Sequence, residues 1–251
     1  MSNDPLAIIF VSNGPGELAT WVKPLAKELH KQIALRPEVK TSSISLNLVL
    51  VPCPNATGNE NLVAKKWFQF ENIIKAKNFW ELLIKPKKFG SWPSKGLVIF
   101  LGGDQFWSVL LSARLGYLHM TYAEWIARWP FWNNRIVAMS DSIVKKLPRR
   151  VQNRCSVIGD LTADLTETAK IDNPLPSGKW IALMPGSKSA KLKIGIPFFL
   201  DVADKISKSM PDCKFLIPIA PTTNIDELKY FSSRKNPISK QYKSGIKSIS
   251  K

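Results

Sequence analysis

Asp104 is the carboxylate that the sequence places best for proton chemistry. It follows Gly102 and Gly103 at the end of a continuous apolar run, residues 96–101 (GLVIFL), which is typical of a buried strand. Two glycines would let a substrate approach the backbone, and the carboxylate could act as a general base toward a hydroxyl. The alternative is a structural role, in which Asp104 caps a helix that begins near Phe106. We favour the functional interpretation, because the turn after the first strand would share the same edge of the sheet.

That first turn, residues 13–17 (NGPGE), follows the apolar run Leu6–Ser12 and opens an amphipathic stretch. Backbone N–H groups at the start of a helix can bind an anion or a polar substrate. The turn is not G-x-G-x-x-G, Pro15 removes one donor, and it has no lysine of the P-loop type. A tight strand-to-helix turn explains the two glycines equally well, so both interpretations stay open.

A third candidate, residues 184–188 (MPGSK), ends another apolar strand. A glycine, a hydroxyl and a cation in this position form a plausible diphosphate-binding turn. A Pro-Gly turn with solvated lysines is the equally good alternative.

The surrounding elements alternate between strands and helices, which predicts βαβ units and an α/β doubly wound parallel sheet. A helix is predicted over residues 197–210. Strands are predicted at Leu6–Ser12 and at residues 45–52, 96–101, 136–139, 156–159, 180–184 and 214–219.

Proline and glycine cluster at residues 172–178 (DNPLPSG), the best candidate for a linker. The predicted domains are therefore residues 1–171 and 172–251. The Lys/Ser-rich tail from residue 232 onward is expected to pack poorly.

Composition narrows the class of protein. The chain has 251 residues and a formal net charge of +17, which favours polyanionic partners such as anionic lipid, nucleotides or nucleic acid. Three scattered cysteines and two histidines argue against a zinc site and for a reduced, cytoplasmic protein. No signal peptide and no membrane-spanning run is present in the sequence, so we expect a soluble or peripheral membrane protein without a metal or other cofactor.

Residues 64–92 hold seven lysines against two glutamates, interleaved with tryptophan and phenylalanine along what would be a helical face. An interfacial segment on anionic lipid and ordinary core packing with solvated lysines are equally good explanations. Stacking on nucleic acid is a weaker third. Residues 122–132 (YAEWIARWPFW) could form a sugar platform or a packed domain interface, with Glu124 and His119 nearby.

Taken in order, these motifs resemble the lipid-A-disaccharide synthase family of glycosyltransferases, and most closely its divergent, lipid-A-disaccharide synthase-related branch. Residues 13–17 stand where the family has a Gly-Glu-Thr-Ser-Gly-Asp-like loop, and residues 102–104 match a strand that ends in Gly-x-Asp. Residues 157–164 correspond to Ile-Gly-His-x-x-x-Asp, and residues 183–188 to Leu-Leu-Pro-Gly-Ser-Arg. The likeness extends over nearly all of residues 6–231.

The resemblance implies a GT-B architecture, with an N-terminal Rossmann-like acceptor domain and an incomplete second Rossmann-like domain for the nucleotide-sugar. It also implies a C-terminally truncated chain, in which Lys188 replaces an arginine and Asp160 a histidine. The implied catalytic residues are Asp104 and Glu17. The implied substrate-binding residues are Asn13, Gly14, Gly16, Gly103, His119 and Glu124, and the implied nucleotide-sugar-binding residues are Gly186, Ser187 and Lys188.

The function implied is transfer of a sugar from a UDP-sugar to a lipid-linked acceptor at a membrane surface, by an inverting reaction that needs no metal. An anionic membrane is the expected partner of residues 64–92. The alternative is a non-catalytic basic α/β protein that binds anionic lipid. Nucleic acid is disfavoured, because no RNP, KH or helix-turn-helix signature accompanies the charge.

Overall fold

The computed structural model shows two compact units, Met1–Ala169 and Lys170–Lys251. The predicted residue Asp164, residues 172–174 of the predicted linker, and residues 234 and 243–251 of the tail lie outside the described part. The described residues are 5–36, 44–53, 56, 58–67, 70–163, 165, 175–219, 223–233 and 235–242.

An all-parallel sheet of seven strands forms the centre of the described part of the first unit. The strand order across the sheet is β3-β2-β1-β4-β5-β6-β7, which confirms the predicted α/β fold with a Rossmann-like sheet. The strands are β1 (Leu6–Ser12), β2 (Ile44–Leu50), β3 (Asn72–Ile74), β4 (Lys95–Phe100), β5 (Leu118–Ala123), β6 (Arg135–Ala138) and β7 (Cys155–Val157).

Helices cover the sheet, as parallel strands require. A π-helical turn (Leu18–Val22) joins the first two helices, and short 3-10 turns lie at Ala76–Asn78, Pro86–Phe89 and Pro130–Trp132. The helices of this unit are α1 (Pro15–Glu17), α2 (Lys23–Ala34), α3 (Glu60–Trp67), α4 (Phe79–Ile84), α5 (Gln105–Leu115), α6 (Asp141–Lys145) and α7 (Arg149–Gln152).

The hydrophobic core lies on both faces of the sheet. Along β1, Ile9 belongs to a cluster that includes Phe79 of α4, whereas Phe10 belongs to a second cluster that includes Leu18 and Leu48. Because successive side chains of a strand point to opposite faces, a strand buried on both must be apolar throughout. This explains why the first strand reads as a continuous apolar run.

Residues 64–92 do not form one amphipathic helix. Helix α3 ends within the segment, β3 adds an edge strand to the sheet, and α4 follows. Phe79 and Leu82 are fully buried, and Trp67 packs against the core, whereas Trp80 is 55% exposed. Core packing therefore accounts for most of the described apolar residues of this segment. The segment forms a strand at Asn72–Ile74 because a β-branched Ile-Ile pair favours a strand over a helix. No helix within the described ranges is long and apolar enough to cross a membrane.

The second unit contains a βαβ arrangement. Strands β8 (Lys179–Ala182) and β9 (Cys213–Leu216) pair in parallel, and α8 (Ser189–Ser209) runs between them in the chain. Helix α9 (Ile225–Ser232) packs on α8 and is followed by the 3-10 turn Pro237–Gln241. The core of this unit is formed by Leu192, Ile196, Leu228 and Phe231.

Candidate functional site

The order in which successive strands are added to the sheet reverses between β1 and β4. Strands β2 and β3 extend the sheet on one side of β1, and β4 to β7 extend it on the other. The N–H of Leu101 donates to the carbonyl of Val11 (2.8 Å), and the N–H of Val51 donates to the carbonyl of Ser12 (3.0 Å), so the carboxyl ends of three strands meet here. Open parallel sheets bind ligands outside such a switch point.

The turns that follow β1 and β4 are in direct contact. A Cβ atom built on Gly102 would lie 2.8 Å from Cγ of Glu17, and one built on Gly103 would lie 3.1 Å from Cγ of Asn13. Both glycines have positive φ angles, +153° and +99°, which disfavour any other residue. The structure therefore brings together Asn13, Glu17, Gly102 and Gly103, and Glu17 also folds back over Gly14.

Gly14 is buried, whereas Gly16 is exposed and has open space around its Cα. Gly14 lies at the N-terminus of the first helical turn, with Pro15 in the first helical position, where the missing N–H costs little. None of the described side chains caps this turn. The turn therefore lies at the carboxyl end of β1, at the edge of the sheet that also carries Asp104.

Asp104 caps α5 and also faces a cation. Its Oδ1 accepts a hydrogen bond from the N–H of Phe106 (3.0 Å), and its Oδ2 lies 3.8 Å from Nη1 of Arg128. The side chain of Asp104 is 51% exposed, so the carboxylate is open to solvent. The capping role and access for a substrate coexist, because each uses a different oxygen.

Glu124 lies at the same edge, on the loop that joins β5 to β6. Gln105, the first residue of α5, fixes this loop through both ends of its amide group: Nε2 donates to the carbonyl of Ile126 (2.7 Å), and Oε1 accepts from the N–H of Arg128 (2.6 Å). Gln105 could not be predicted from sequence, because its partners are more than 20 residues away and no local pattern indicates them.

Tyr122 ties a third loop to this region. Its hydroxyl donates to the carbonyl of Gly159 and accepts from the N–H of Leu161, both at 3.3 Å. Burial raises the pKa of Tyr122, and its ring packs edge-on against Trp21 with 5.3 Å between the ring centroids. In the sequence, the aromatic residues 122–132 indicate this region, but they do not distinguish the Tyr122 hydroxyl from the other aromatic side chains.

His119 is buried within the sheet, whereas Gly103 and Asp104 are exposed at its edge. It is 1% exposed, and its Nε2 lies 2.9 Å from Oγ of Ser108. The Ser108 hydroxyl donates to the carbonyl of Gln105 (2.8 Å), so it must accept the hydrogen bond from His119. This hydrogen bond places a proton on Nε2 of His119, and burial, which lowers the pKa to about 4, keeps the ring neutral near pH 7. Its buried Nδ1 has no partner among the described residues.

Acid should destabilise the first unit through His119. Burial lowers the pKa of His119 to about 4 from 6.5, so this contribution to stability is complete above pH 6.5 and is lost as the pH falls toward 4. The loss amounts to roughly 3 kcal/mol at the acidic end of this window. We expect urea unfolding of a His119→Met variant to depend less on pH between 6.5 and 4 than wild type does. A His30→Met variant, which changes an exposed histidine, should keep the wild-type dependence; equal profiles for all three would contradict the prediction.

Gly186, Ser187 and Lys188 lie in the second unit, between β8 and the N-terminus of α8. Gly186 has a φ angle of +104°, and a Cβ atom on Gly195 of α8 would lie only 2.8 Å from the carbonyl oxygen of Pro185, so the turn lies tightly against the helix. In the described part of this unit, no side chain caps α8. The turn thus presents free amide groups, a hydroxyl and a cation at the positive end of a long helix.

Within the described residues, no group of three or more histidine, cysteine or acidic side chains is arranged to hold a metal ion.

Comparison with known sequences gives short matches to one kind of enzyme. The chain is 33% identical over 73 residues to the lipid-A-disaccharide synthase of Chromobacterium violaceum, a match that covers 27% of this chain and 19% of the relative. It is 36% identical over 56 residues to lipid-A-disaccharide synthase 1 of Legionella pneumophila strain Lens, covering 22% of this chain and 15% of the relative. The matches thus span less than a fifth of each relative's length. No family model matches the chain.

Comparison with solved structures covers nearly the whole chain. The S. aureus MnaA–UDP complex matches 94% of this chain and 67% of its own length, with a TM-score of 0.56 and 11% identity. The UDP-GlcNAc 2-epimerase of Neisseria meningitidis bound to UDP-GlcNAc matches 97% of this chain and 70% of its own length, with a TM-score of 0.56 and 12% identity. This chain therefore has a GT-B-like α/β fold, and short segments of its sequence resemble lipid-A-disaccharide synthases.

Proposed function

We propose that this chain functions as a glycosyltransferase of the lipid-A-disaccharide synthase type, which transfers a sugar from a UDP-sugar to a lipid-linked acceptor at a membrane surface. The observation that carries the proposal is the contact between the turns after β1 and β4, which places Glu17 beside the glycines that precede Asp104. The sequence likeness to lipid-A-disaccharide synthases supports it.

In the proposed reaction, Asp104 is the general base. Its Oδ2 removes the proton from an acceptor hydroxyl as that oxygen attacks the anomeric carbon of the donor, while the bond from that carbon to the UDP oxygen breaks. Attack from the face opposite UDP inverts the configuration. Nη1 of Arg128 lies 3.8 Å from this Oδ2 and would face the same acceptor hydroxyl.

The acceptor would be held by the edge of the sheet around Asp104. Glu17 can accept hydrogen bonds from sugar hydroxyls, and Asn13 and Glu124 offer further polar groups. Gly16 and Gly103, which are exposed, would let the sugar approach the backbone, whereas the predicted residue Gly14 is buried under the Glu17 side chain. His119 is only 1% exposed, so we propose a structural role for it in place of substrate contact.

The donor diphosphate would bind at Gly186, Ser187 and Lys188. The free amides at the start of α8, together with the Lys188 ammonium, would stabilise the negative charge that builds up on UDP as it leaves. Lysine supplies this charge without the bidentate geometry of arginine.

UDP binding tests the donor side directly. We expect UDP and UDP-GlcNAc to raise the melting temperature of the chain, because a ligand that binds only the folded state stabilises it. A Lys188→Ala variant should bind UDP about tenfold or more weakly in calorimetric titration, since it loses a charged contact to phosphate. The matched control is Lys205→Ala, which removes the same charge near the C-terminal end of α8.

A second result of this test would support the alternative function. If neither nucleotide shifts the melting temperature while the chain floats tightly with anionic liposomes, the alternative function is correct. The protein would then be a non-catalytic binder of anionic lipid, with its lysine-rich residues 64–92 as the contact.

A further inference from the structure

The first unit carries a concentrated group of exposed aromatic side chains on α4, the start of α5 and the loop between β5 and β6. Their exposed fractions range from 38% to 74%. Single exposed apolar residues are ordinary, but a group of this size marks an interaction site. This aromatic surface consists of Trp80, Phe106, Trp125, Trp129, Phe131 and Trp132.

The rings form a connected series over part of this surface. The ring centroids of Trp80 and Trp107 lie 5.4 Å apart, those of Trp107 and Phe106 also lie 5.4 Å apart, and those of Phe106 and Trp129 lie 5.9 Å apart. Arg114 donates to the carbonyl of Leu83 (2.6 Å), which fixes α4 against α5. The surface therefore spans two helices and the loop.

The backbone conformation of the loop between β5 and β6 exposes its aromatic side chains. Trp129 has φ 54° and ψ 43°, a left-handed conformation that is unfavourable for a bulky residue. Its carbonyl accepts hydrogen bonds from the N–H of Trp132 (3.0 Å) and from Nδ2 of Asn133 (3.2 Å). Together with the two hydrogen bonds of Gln105, these contacts hold the aromatic side chains outward.

Cations border this surface. Arg128 lies within the loop and is 60% exposed, and residues 75–88, which include α4, contain five lysines against one glutamate. Lys77, Lys85 and Lys87 are all exposed. Tryptophan beside lysine and arginine is the composition that binds at the boundary between lipid headgroups and acyl chains.

We propose that the aromatic surface inserts into the headgroup region of an anionic bilayer, with the neighbouring lysines in contact with lipid phosphate. This extends the proposed membrane contact of residues 64–92 to the loop after β5, and it does not depend on sugar transfer. Asp104 lies on the same edge as the loop, held to it by Arg128, so docking here would bring the proposed acceptor site to the lipid surface. The lysines favour lipid over a second copy of this strongly basic chain, which would repel them.

Flotation of the full chain with vesicles tests the inference. We expect binding to vesicles that contain phosphatidylglycerol and weak binding to pure phosphatidylcholine. A Trp125→Ser/Phe131→Ser variant should lose about tenfold in partition coefficient for each aromatic removed. A Lys85→Gln/Lys87→Gln variant should lose about fivefold for each lysine, and only at low salt.

The matched control is Leu62→Ser/Ile194→Ser, which removes two exposed apolar side chains outside the aromatic surface. It should bind vesicles as wild type does. The inference is overturned if wild type ignores anionic vesicles, or if the aromatic variant binds them unchanged. It is also overturned if the aromatic variant only converts a dimer to a monomer in sedimentation, since the surface would then be a contact between copies. Titration of the aromatic variant with UDP measures donor binding separately from vesicle binding. Donor binding should be unchanged, so failure of the membrane inference and failure of the proposed transfer can be told apart.

Discussion

Replacing Asp104 with asparagine is expected to lower the rate of sugar transfer by about a hundredfold to ten-thousandfold, the range for loss of a general base. Asparagine caps helices as well as aspartate does, so its side-chain oxygen can still accept from the N–H of Phe106. The lost ion pair with Arg128 is exposed and contributes little to stability. The measurement is single-turnover transfer from a UDP-sugar to a lipid-linked acceptor, together with thermal unfolding.

Asp104→Ala separates the two roles of this carboxylate. Alanine removes both the base and the cap, so it should cost about 1 kcal/mol of stability in addition to the loss of transfer. If the asparagine variant transfers sugar at the wild-type rate and only the alanine variant is impaired, Asp104 is a helix cap and the base lies elsewhere.

Gly102→Ala is expected to destabilise the first unit by about 2–5 kcal/mol. One part of the cost is a φ angle of +153°, which is essentially restricted to glycine. The other is steric, because the new Cβ would lie 2.8 Å from Cγ of Glu17 and 3.2 Å from Oγ of Ser12, and side chains in a packed site move only at a cost. The free energy of unfolding in urea measures the sum.

Gly16→Ala is the control from the same edge of the sheet. Among the described residues, no atom lies within 4 Å of a Cβ built there, and the residue is in a helical turn, so alanine should be neutral or stabilise by up to about 1 kcal/mol. Equal effects of the two substitutions would show that the contact between the turns after β1 and β4 contributes nothing to stability.

The strands that could be predicted from sequence are those with continuous apolar runs. The first strand occupies the predicted residues Leu6–Ser12, and the strands predicted at residues 45–52 and 96–101 are observed within two residues of their expected bounds. Two strands were missed. β3 is only three residues long, and β5 (LHMTYA) carries His119 and Thr121 on a buried face, which breaks the apolar pattern.

The edge of the sheet that holds the candidate site could also be predicted from sequence, because it lies at the ends of the continuous apolar runs. The carboxyl end of a buried parallel strand is visible in sequence as an apolar run followed by glycine, as at Gly14 and Gly102. The contacts at this edge could not be predicted from sequence, because the Arg128 ion pair and the Gln105 hydrogen bonds join residues more than 20 positions apart. The expected helical face within residues 64–92 was wrong, because the sheet recruits Asn72–Ile74 as an edge strand.

The position of β1 in the middle of the sheet has a consequence for how the chain folds during synthesis. Leu6 pairs with Ile44 on one side but with Lys95 on the other, so half of the first strand's hydrogen-bonding edge has no partner until β4 leaves the ribosome. At typical synthesis rates of about 5–20 residues per second, the wait is roughly several seconds. During that interval the most apolar segment of the nascent chain is exposed as an open strand edge, so chaperone binding should be concentrated on chains that end between β2 and β4.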